Sequence, residues 1–475
     1  MSPIGSAPSL RIFRALFCSA GAKLSRMDST GPNLFGEPGT TDDSPAKSPT
    51  HDAAMSPRLR RPDRSQVLLR PCALDDVIDA EHPARIVWEV VCRWDLSKFL
   101  AGVRARGERP GRAATDPKVL ISLWLYAYTR GVGNGRELDR LCHAHDAYRW
   151  LCGGVSLNYH TLNDFLVDHE AALDDLLTQM IAALTSQGLV KVERISIDGT
   201  RVRAGAGRNS FKKRDALERH LREAEAHVST LKQQAQDPAI AAAASAQRRQ
   251  AAERAARQRV ERIEQAMSEL AKVEAAKAAQ KDKPSKHRPA KASTTDPQAR
   301  QMRMPDGGTR PAYNVQLAVA TDGRAVVGVD VTNAGSDVHQ DQPLRQQVER
   351  RTGRSVNEQL IDGGYIGLEA IDAAAEAGVT VYAPVPKSKN KDVDPHQPKK
   401  SDSPAVAQWR VRMATPQAKA TYKQRASTVE TANGECKSYR GLTQTLVRGI
   451  NKVRCVALWS ALAYNLAHFA GHLIG

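Results

Sequence analysis

Arg194-Ile-Ser-Ile-Asp-Gly-Thr-Arg-Val-Arg203 is the stretch on which the fold turns. Ile195, Ile197 and Val202 supply the β-branched residues of a short strand, and Asp198 sits where the apolar run meets Gly199. Taken alone, Asp-Gly opens a turn more often than it does anything else. A second stretch changes that reading: Gln359-Leu-Ile-Asp-Gly-Gly-Tyr365 again sets an aspartate, Asp362, after an apolar run and before glycine. Two carboxylates of this design, far apart in sequence, predict one site assembled by adjacent strand ends.

The pattern around these stretches is that of an α/β core. Ala312–Ala320 alternates as a strand, Asp322-Gly323 makes a hairpin turn, and Ala325–Val331 returns. A helix at Asp341–Arg351, a strand at Val356–Ile361, a helix at Leu368–Ala377 and a strand at Val379–Val385 follow, then a polar loop over 387–405 and helices to the end. That order predicts a mixed sheet flanked by helices, with Asp198 ending its first strand and Asp362 its fourth.

Upstream, Leu74–Leu189 is helical in pattern, with helices expected at His82–Arg93, Pro117–Thr129, Arg136–His143, Tyr159–His169 and Ala171–Gln187. Lys118–Tyr128 is apolar nearly all round, which places it at the centre of an all-α domain spanning 65–190. Arg130, Arg136, Arg140 and Arg149 suit a DNA-binding face and a solvated face equally. Residues 1–64, rich in Ser, Pro, Gly and Asp, read as a disordered leader. Between the first strand and the hairpin, 209–291 reads as a helical insertion in the α/β domain 191–475, an αα-hairpin broken near Asp237-Pro238. Leu217, Leu221, Val228 and Leu231 keep one apolar seam, and Val260, Ile263, Met267, Leu270 and Val273 the other. Lying along DNA, pairing with another subunit and serving as a spacer are equally open to it.

At 475 residues the chain calls for two or three domains. A net charge of +17 and a pI near 9.6 raise the expectation of a polyanionic partner, above all nucleic acid. Seven cysteines show no Cys-x-x-Cys spacing, so neither disulfides nor a zinc site are expected, and Cys92, Cys142 and Cys152 read as buried thiols. Val453–Gly475 carries Arg454, Asn465 and two histidines, so it reads as a buried helix rather than a membrane span. No sustained apolar stretch follows Arg11 and Arg14, so this end reads as part of the leader rather than as a signal peptide, and the reduced thiols fit a cytoplasmic protein with no membrane partner.

Two aspartates and one further acid can hold two Mg²⁺ or Mn²⁺ ions, and hard oxygen ligands suit phosphodiester chemistry. On a continuous helix at about 100° per residue, Tyr422, Arg425, Glu430 and Lys437 point to about 0°, −60°, 80° and 60°, whereas Glu435 points about 140° away from Glu430. Glu430 is therefore the expected third acid, and Glu435 the solvated one.

Ile197-Asp-Gly-Thr200, Ile361-Asp-Gly-Gly-Tyr365 and the Tyr422, Arg425, Glu430, Lys437 series resemble the motifs of DDE transposases of bacterial insertion sequences, in the IS-four and IS-five-like group. Leu68-Leu-Arg-Pro71, Asp116–Tyr128 and Tyr148–Gly154 are similar to the helical part that precedes the core there, and Arg440–Leu442, Leu446–Gly449 and Lys452–Arg454 to the closing segment. One departure stands out: four residues separate Arg425 from Glu430 where the common signature has three. The resemblance implies an RNase H-like core in which Asp198, Asp362 and Glu430 are the catalytic, metal-holding acids. It further implies that Tyr422, Arg425 and Lys437 support DNA binding. The implied protein is a homodimer or higher assembly that binds terminal inverted repeats, cleaves a strand and joins the freed 3′-hydroxyl to target DNA. A nuclease or resolvase without strand transfer, and an inactive DNA-binding descendant, remain as alternatives.

Overall fold

A computed structural model describes residues 71–103, 105, 113–236, 245–279, 289–388 and 392–474. The expected leader and the break at Asp237-Pro238 lie outside them. The chain divides into two compact units, one of Ala22–Val77 and one of Met1–Gly21 with Ile78–Gly475. In the smaller unit the described residues form a single 3₁₀ turn, Leu74–Val77.

The larger unit opens with helices α1 (Pro83–Cys92), α2 (Pro117–Thr129), α3 (Gly135–Ala144), α4 (Asp146–Cys152), α5 (Tyr159–Val167) and α6 (Glu170–Ser186). Among these helices, α2, α3 and α5 start on side-chain caps. Asp116 accepts from Lys118 N at 2.8 Å with Pro117 in the first turn, Asn134 from Arg136 N at 2.9 Å, and Asn158 from Thr161 N at 3.0 Å. Helix α4 has no counterpart in the sequence reading; it is a short element that His145 caps through Nδ1.

The sheet follows. Strand β1 (Lys191–Arg203) leads to a small ribbon of β2 (Phe211–Lys212) and β3 (Ala292–Ser293). From the base of that ribbon rise two long helices, α7 (Arg214–Gln236) and α8 (Ala246–Ala279). Leu217 and Ala224 on α7 meet Ile263, Ala266 and Leu270 on α8, a separate apolar seam. Strands β4 (Arg300–Arg303), β5 (Thr309–Asp322), β6 (Val326–Thr332), β7 (Glu358–Leu360) and β8 (Thr380–Tyr382) complete the structure, with α9 (Asp341–Thr352) and α10 (Leu368–Glu376) between them. Strand β1 lies between β5, antiparallel, and β7, parallel; β8 extends the parallel side, and β4 and β6 both pair with the far edge of β5. The result is a mixed sheet flanked by helices.

Strand β1 does not stop at Asp198. It pairs with β5 without interruption from Ile195 to Arg203, so Asp198-Gly199 lies mid-strand rather than at a strand end or a turn. Cys92 is exposed rather than buried, because it falls on the outer face of α1, whereas Cys142 and Cys152 are buried as expected.

Four helices close the chain or approach its end: α11 (Pro404–Ala414), α12 (Pro416–Arg425), α13 (Thr431–Tyr439) and α14 (Ile450–Leu473). Helix α14 is buried on nearly every side, and no described helix is long and apolar enough to cross a membrane. Trp459 Nε1 donates to Leu166 O at 3.1 Å, and Asn465 exchanges two hydrogen bonds with Val326 of β6 at 2.8 and 2.9 Å. One helix thereby fastens the N-terminal helices to the sheet, and both belong to one continuous core.

Candidate active site

Because successive strand residues face opposite sides, Asp198 points to the C-terminal helices while Gly199 faces the other way. Asp198 Oδ1 lies 2.7 Å from Arg425 Nη2, and Asn433 Nδ2 donates to its other oxygen at 3.0 Å. Burial pushes the Asp198 carboxyl up to about 6; the Arg425 cation and the Asn433 hydrogen bond oppose that, and the charge of Asp362 adds to it. Asp362 lies just beyond β7. Its Oδ1 accepts from Gly364 N at 2.7 Å, and its Oδ2 is 4.0 Å from the same Arg425 nitrogen. Glu430 Oε1 receives Arg425 Nη1 at 2.5 Å. Three acids from three parts of the chain thus surround one guanidinium.

The chain between α12 and α13 explains how Arg425 reaches Glu430. On an α-helix, residues five apart diverge by about 140°. Here Ala426–Glu430 forms a π turn, in which five residues make roughly one revolution, and Thr431 Oγ1 bonds Ala426 O at 3.1 Å across that spacing. The extra residue in the motif is absorbed by this widened turn, which returns Glu430 to the face of Arg425. It also resets the phase of everything after it. Glu435, expected to be solvated, is instead 15% exposed; it pairs with Arg440 at 3.6 Å and with His468 at 3.1 Å.

Tyr422 is half-buried against the core, and burial raises its phenol. Lys437 is likewise partly buried. Burial lowers its ammonium, Asp198 opposes that change, and Arg201 reinforces it, so the side chain lies in the electrostatic reach of the site.

The sequence reading did not find Asp337. This buried carboxylate accepts from Asn314 Nδ2 at 2.5 Å and Gln316 Nε2 at 2.9 Å, and Arg201 Nη2 is 3.3 Å from its second oxygen. Gly199 makes that approach possible: a Cβ there would stand 2.4 Å from Asp337 Oδ1 and 2.5 Å from Gln316 Nε2. Gln316 also accepts from the Tyr365 hydroxyl, which ties the second acid's motif to the same web. Asp337 follows a loop with no strand or helix signal, so nothing local marked it. Asn433, the partner of Asp198, falls at about 20° on the same wheel, on the site's side, but an uncharged amide gave no signal beside the charged residues around it.

The donor set is all oxygen, with Asp362 and Glu430 side chains 41% and 50% exposed beside the more buried Asp198 at 18%. That chemistry fits hard divalent cations, and the Arg425 guanidinium is a positive charge held at the place where the three acids converge. As the side chains stand, among the described residues, no three acidic, His or Cys groups are close enough to share an ion. The guanidinium occupies the space between these carboxylates.

Residues 285–466 match the family described as Transposase DDE domain, and 72–168 match the one described as Transposase domain (DUF772). No curated protein and no solved structure matches the chain. The first match takes in Asp362 and Glu430; Asp198 lies before it and comes to the site through the pairing of β1 with β5 and β7. DDE transposases act on DNA and generally use divalent metals. By these two matches, which together cover more than half of its length, the chain belongs to the DDE transposases of insertion sequences.

Proposed function

We propose that this chain binds the terminal inverted repeats of its element, cleaves a strand at each end and transfers the 3′-hydroxyl to target DNA, with Asp198, Asp362 and Glu430 as the catalytic acids. The observation that carries the reading is the convergence of those three acids on Arg425. The strand order β6-β5-β1-β7-β8, antiparallel on one side of β1 and parallel on the other, supports an RNase H-like core. We read 65–190 as the helical DNA-binding domain, 191–475 as the catalytic domain and 209–291 as its insertion. The protein acts as a homodimer or larger assembly, in the IS-four and IS-five-like branch, in the bacterial cytoplasm at the nucleoid.

Two Mg²⁺ or Mn²⁺ ions, when bound, supply activation of the attacking oxygen and stabilisation of the leaving one. The acids hold that charge, and Asn433 orients Asp198 through the hydrogen bond to Oδ2. Once Arg425 gives up its carboxylates, its forked guanidinium is free to bind phosphate, and Lys437 adds a second cation beside Asp198. Tyr422 flanks this pair and supplies a ring against the cleaved end.

The test is joining: purified protein, a pre-cleaved repeat end and a supercoiled plasmid, with Mg²⁺. Joined product that disappears in Asp198→Asn supports the reading. Hydrolysis without joining makes the protein a nuclease of the same core, and no metal-dependent reaction makes it a DNA-binding descendant.

A further inference from the structure

Away from the acids, a cleft of about 830 Å³ opens between the loop before α3 and the segment between α13 and α14. Arg136 enters it from the first turn of α3, Arg448 and Lys452 from the segment that becomes α14. All three side chains are exposed, and among the described residues none is within ion-pair distance of a carboxylate; Arg448 acts on Asp296 only at longer range. Asp164 is the one acidic side chain in the lining. Three cations against one acid leave the cleft positive.

Both walls are built rather than loose. Gly135 is buried so close to α5 that a Cβ would stand 2.3 Å from Asn163 Oδ1, and Asn134 fixes the helix start above it. The Arg136 guanidinium lies 5.1 Å over the Tyr159 ring, which orients it. Opposite, Thr445 N donates to Arg203 O at 2.8 Å and Arg203 N to Thr443 O at 3.1 Å, so the second wall is stitched to the end of β1. That link places the wall on the same strand as the first acid. Arg203 lies five residues past Asp198 on one uninterrupted strand, roughly 17 Å at about 3.3 Å per residue.

We infer that this cleft receives the sugar-phosphate backbone of duplex DNA that flanks the bond held at Asp198, with phosphates facing Arg136, Arg448 and Lys452. The inference rests on the proposed function and deepens it by locating part of the substrate. Such contacts read no sequence. They hold the duplex in register while the acids act at its end.

The test uses the full chain, a long fluorescein-labelled duplex of arbitrary sequence, and Ca²⁺ so that binding is read without cutting. Fluorescence anisotropy across about 50 to 200 mM salt gives the slope of log K against log salt. Arg136→Ser, Arg448→Ser and Lys452→Ser should each flatten the slope by about 0.9, and the triple variant by two to three in all. Arg136→Lys and Arg448→Lys should keep the wild-type slope, and unchanged melting curves exclude unfolding as the cause. A triple variant with the wild-type slope overturns the inference. So does a polyglutamate peptide that binds the wild type more tightly than duplex does and loses affinity in the triple variant, since the occupant is then an acidic protein segment. The catalytic reading is scored separately by Mg²⁺-dependent cutting in Asp198→Asn. If that variant still cuts, the acids are misassigned while the slope result stands.

Discussion

Arg425 Nη2 lies 2.7 Å from Asp198 Oδ1 while its Nη1 holds Glu430, so a single guanidinium, 9% exposed, compensates the first and third acids at once. Metal ions held as proposed would compete with this cation for the same oxygens. Arg425→Ala should therefore raise the affinity of the DNA-free protein for Mn²⁺ by about tenfold, equivalent to about 1.4 kcal/mol, read as free Mn²⁺ by electron paramagnetic resonance. Without metal the same variant should lose about 1–3 kcal/mol of stability, because partly buried carboxylates lose their partner. Unchanged Mn²⁺ affinity would show that the arginine does not restrain the site.

The two glutamates near the π turn should separate function from stability. Glu430→Gln should abolish metal-dependent cutting while changing unfolding free energy by less than about 1 kcal/mol, since its side chain is half exposed. Glu435→Gln should keep cutting but lose about 1–3 kcal/mol, because Arg440, 6% exposed, forfeits its charged partner. Paired cleavage assays and denaturant titrations decide it; the reverse pattern would mean that the helix continues without the π turn.

Much of this was legible in the sequence, and the gaps have physical causes. Alternation marked β5 and β6, and apolar stretches marked α2 and α14, because those signals are local. The continuation of β1 through Asp198-Gly199 was not legible. Its glycine answers to Asp337, which arrives from a loop well over a hundred residues later. Glu435 was misread for another reason: helical arithmetic assumes one period, and Ala426–Glu430 changes the period in the middle.

Gly199→Ala tests the close approach itself. The added methyl would stand 2.4 Å from Asp337 Oδ1, and the amides of Gln316 and Asn314 are also in its way. A cost of about 1–3 kcal/mol is expected from overpacking. Asp337→Asn should cost a similar amount, because two donating amides would then face a third; the double variant should lose less than the sum. Strict additivity in chemical denaturation would contradict the contact.

His82 gives a pH dependence. Its Nδ1 caps α1 by accepting from Ala84 N at 3.1 Å, which only the unprotonated ring nitrogen can do. Burial, then the charges of Arg130 and His145, hold its pKa below the ordinary 6.5. The unfolded chain therefore takes up the proton first. The cap's contribution, about 1 kcal/mol, is present above pH 6.5 and lost as pH falls from there through the lowered folded value. His82→Asn keeps a capping oxygen and does not titrate, so thermal melts should show a flatter acid limb; an unaltered limb would remove His82 as the cause.

The central claim is that Asp198, Asp362 and Glu430 form one metal-holding site. Crystals grown with Mn²⁺ and a cleaved DNA end, measured at the manganese absorption edge, test it most directly. Anomalous peaks about 2.0–2.3 Å from carboxylate oxygens of all three acids, with the Arg425 guanidinium turned away toward phosphate, are predicted. Peaks that engage other side chains, or acids still locked on Arg425 with DNA and manganese present, would contradict it.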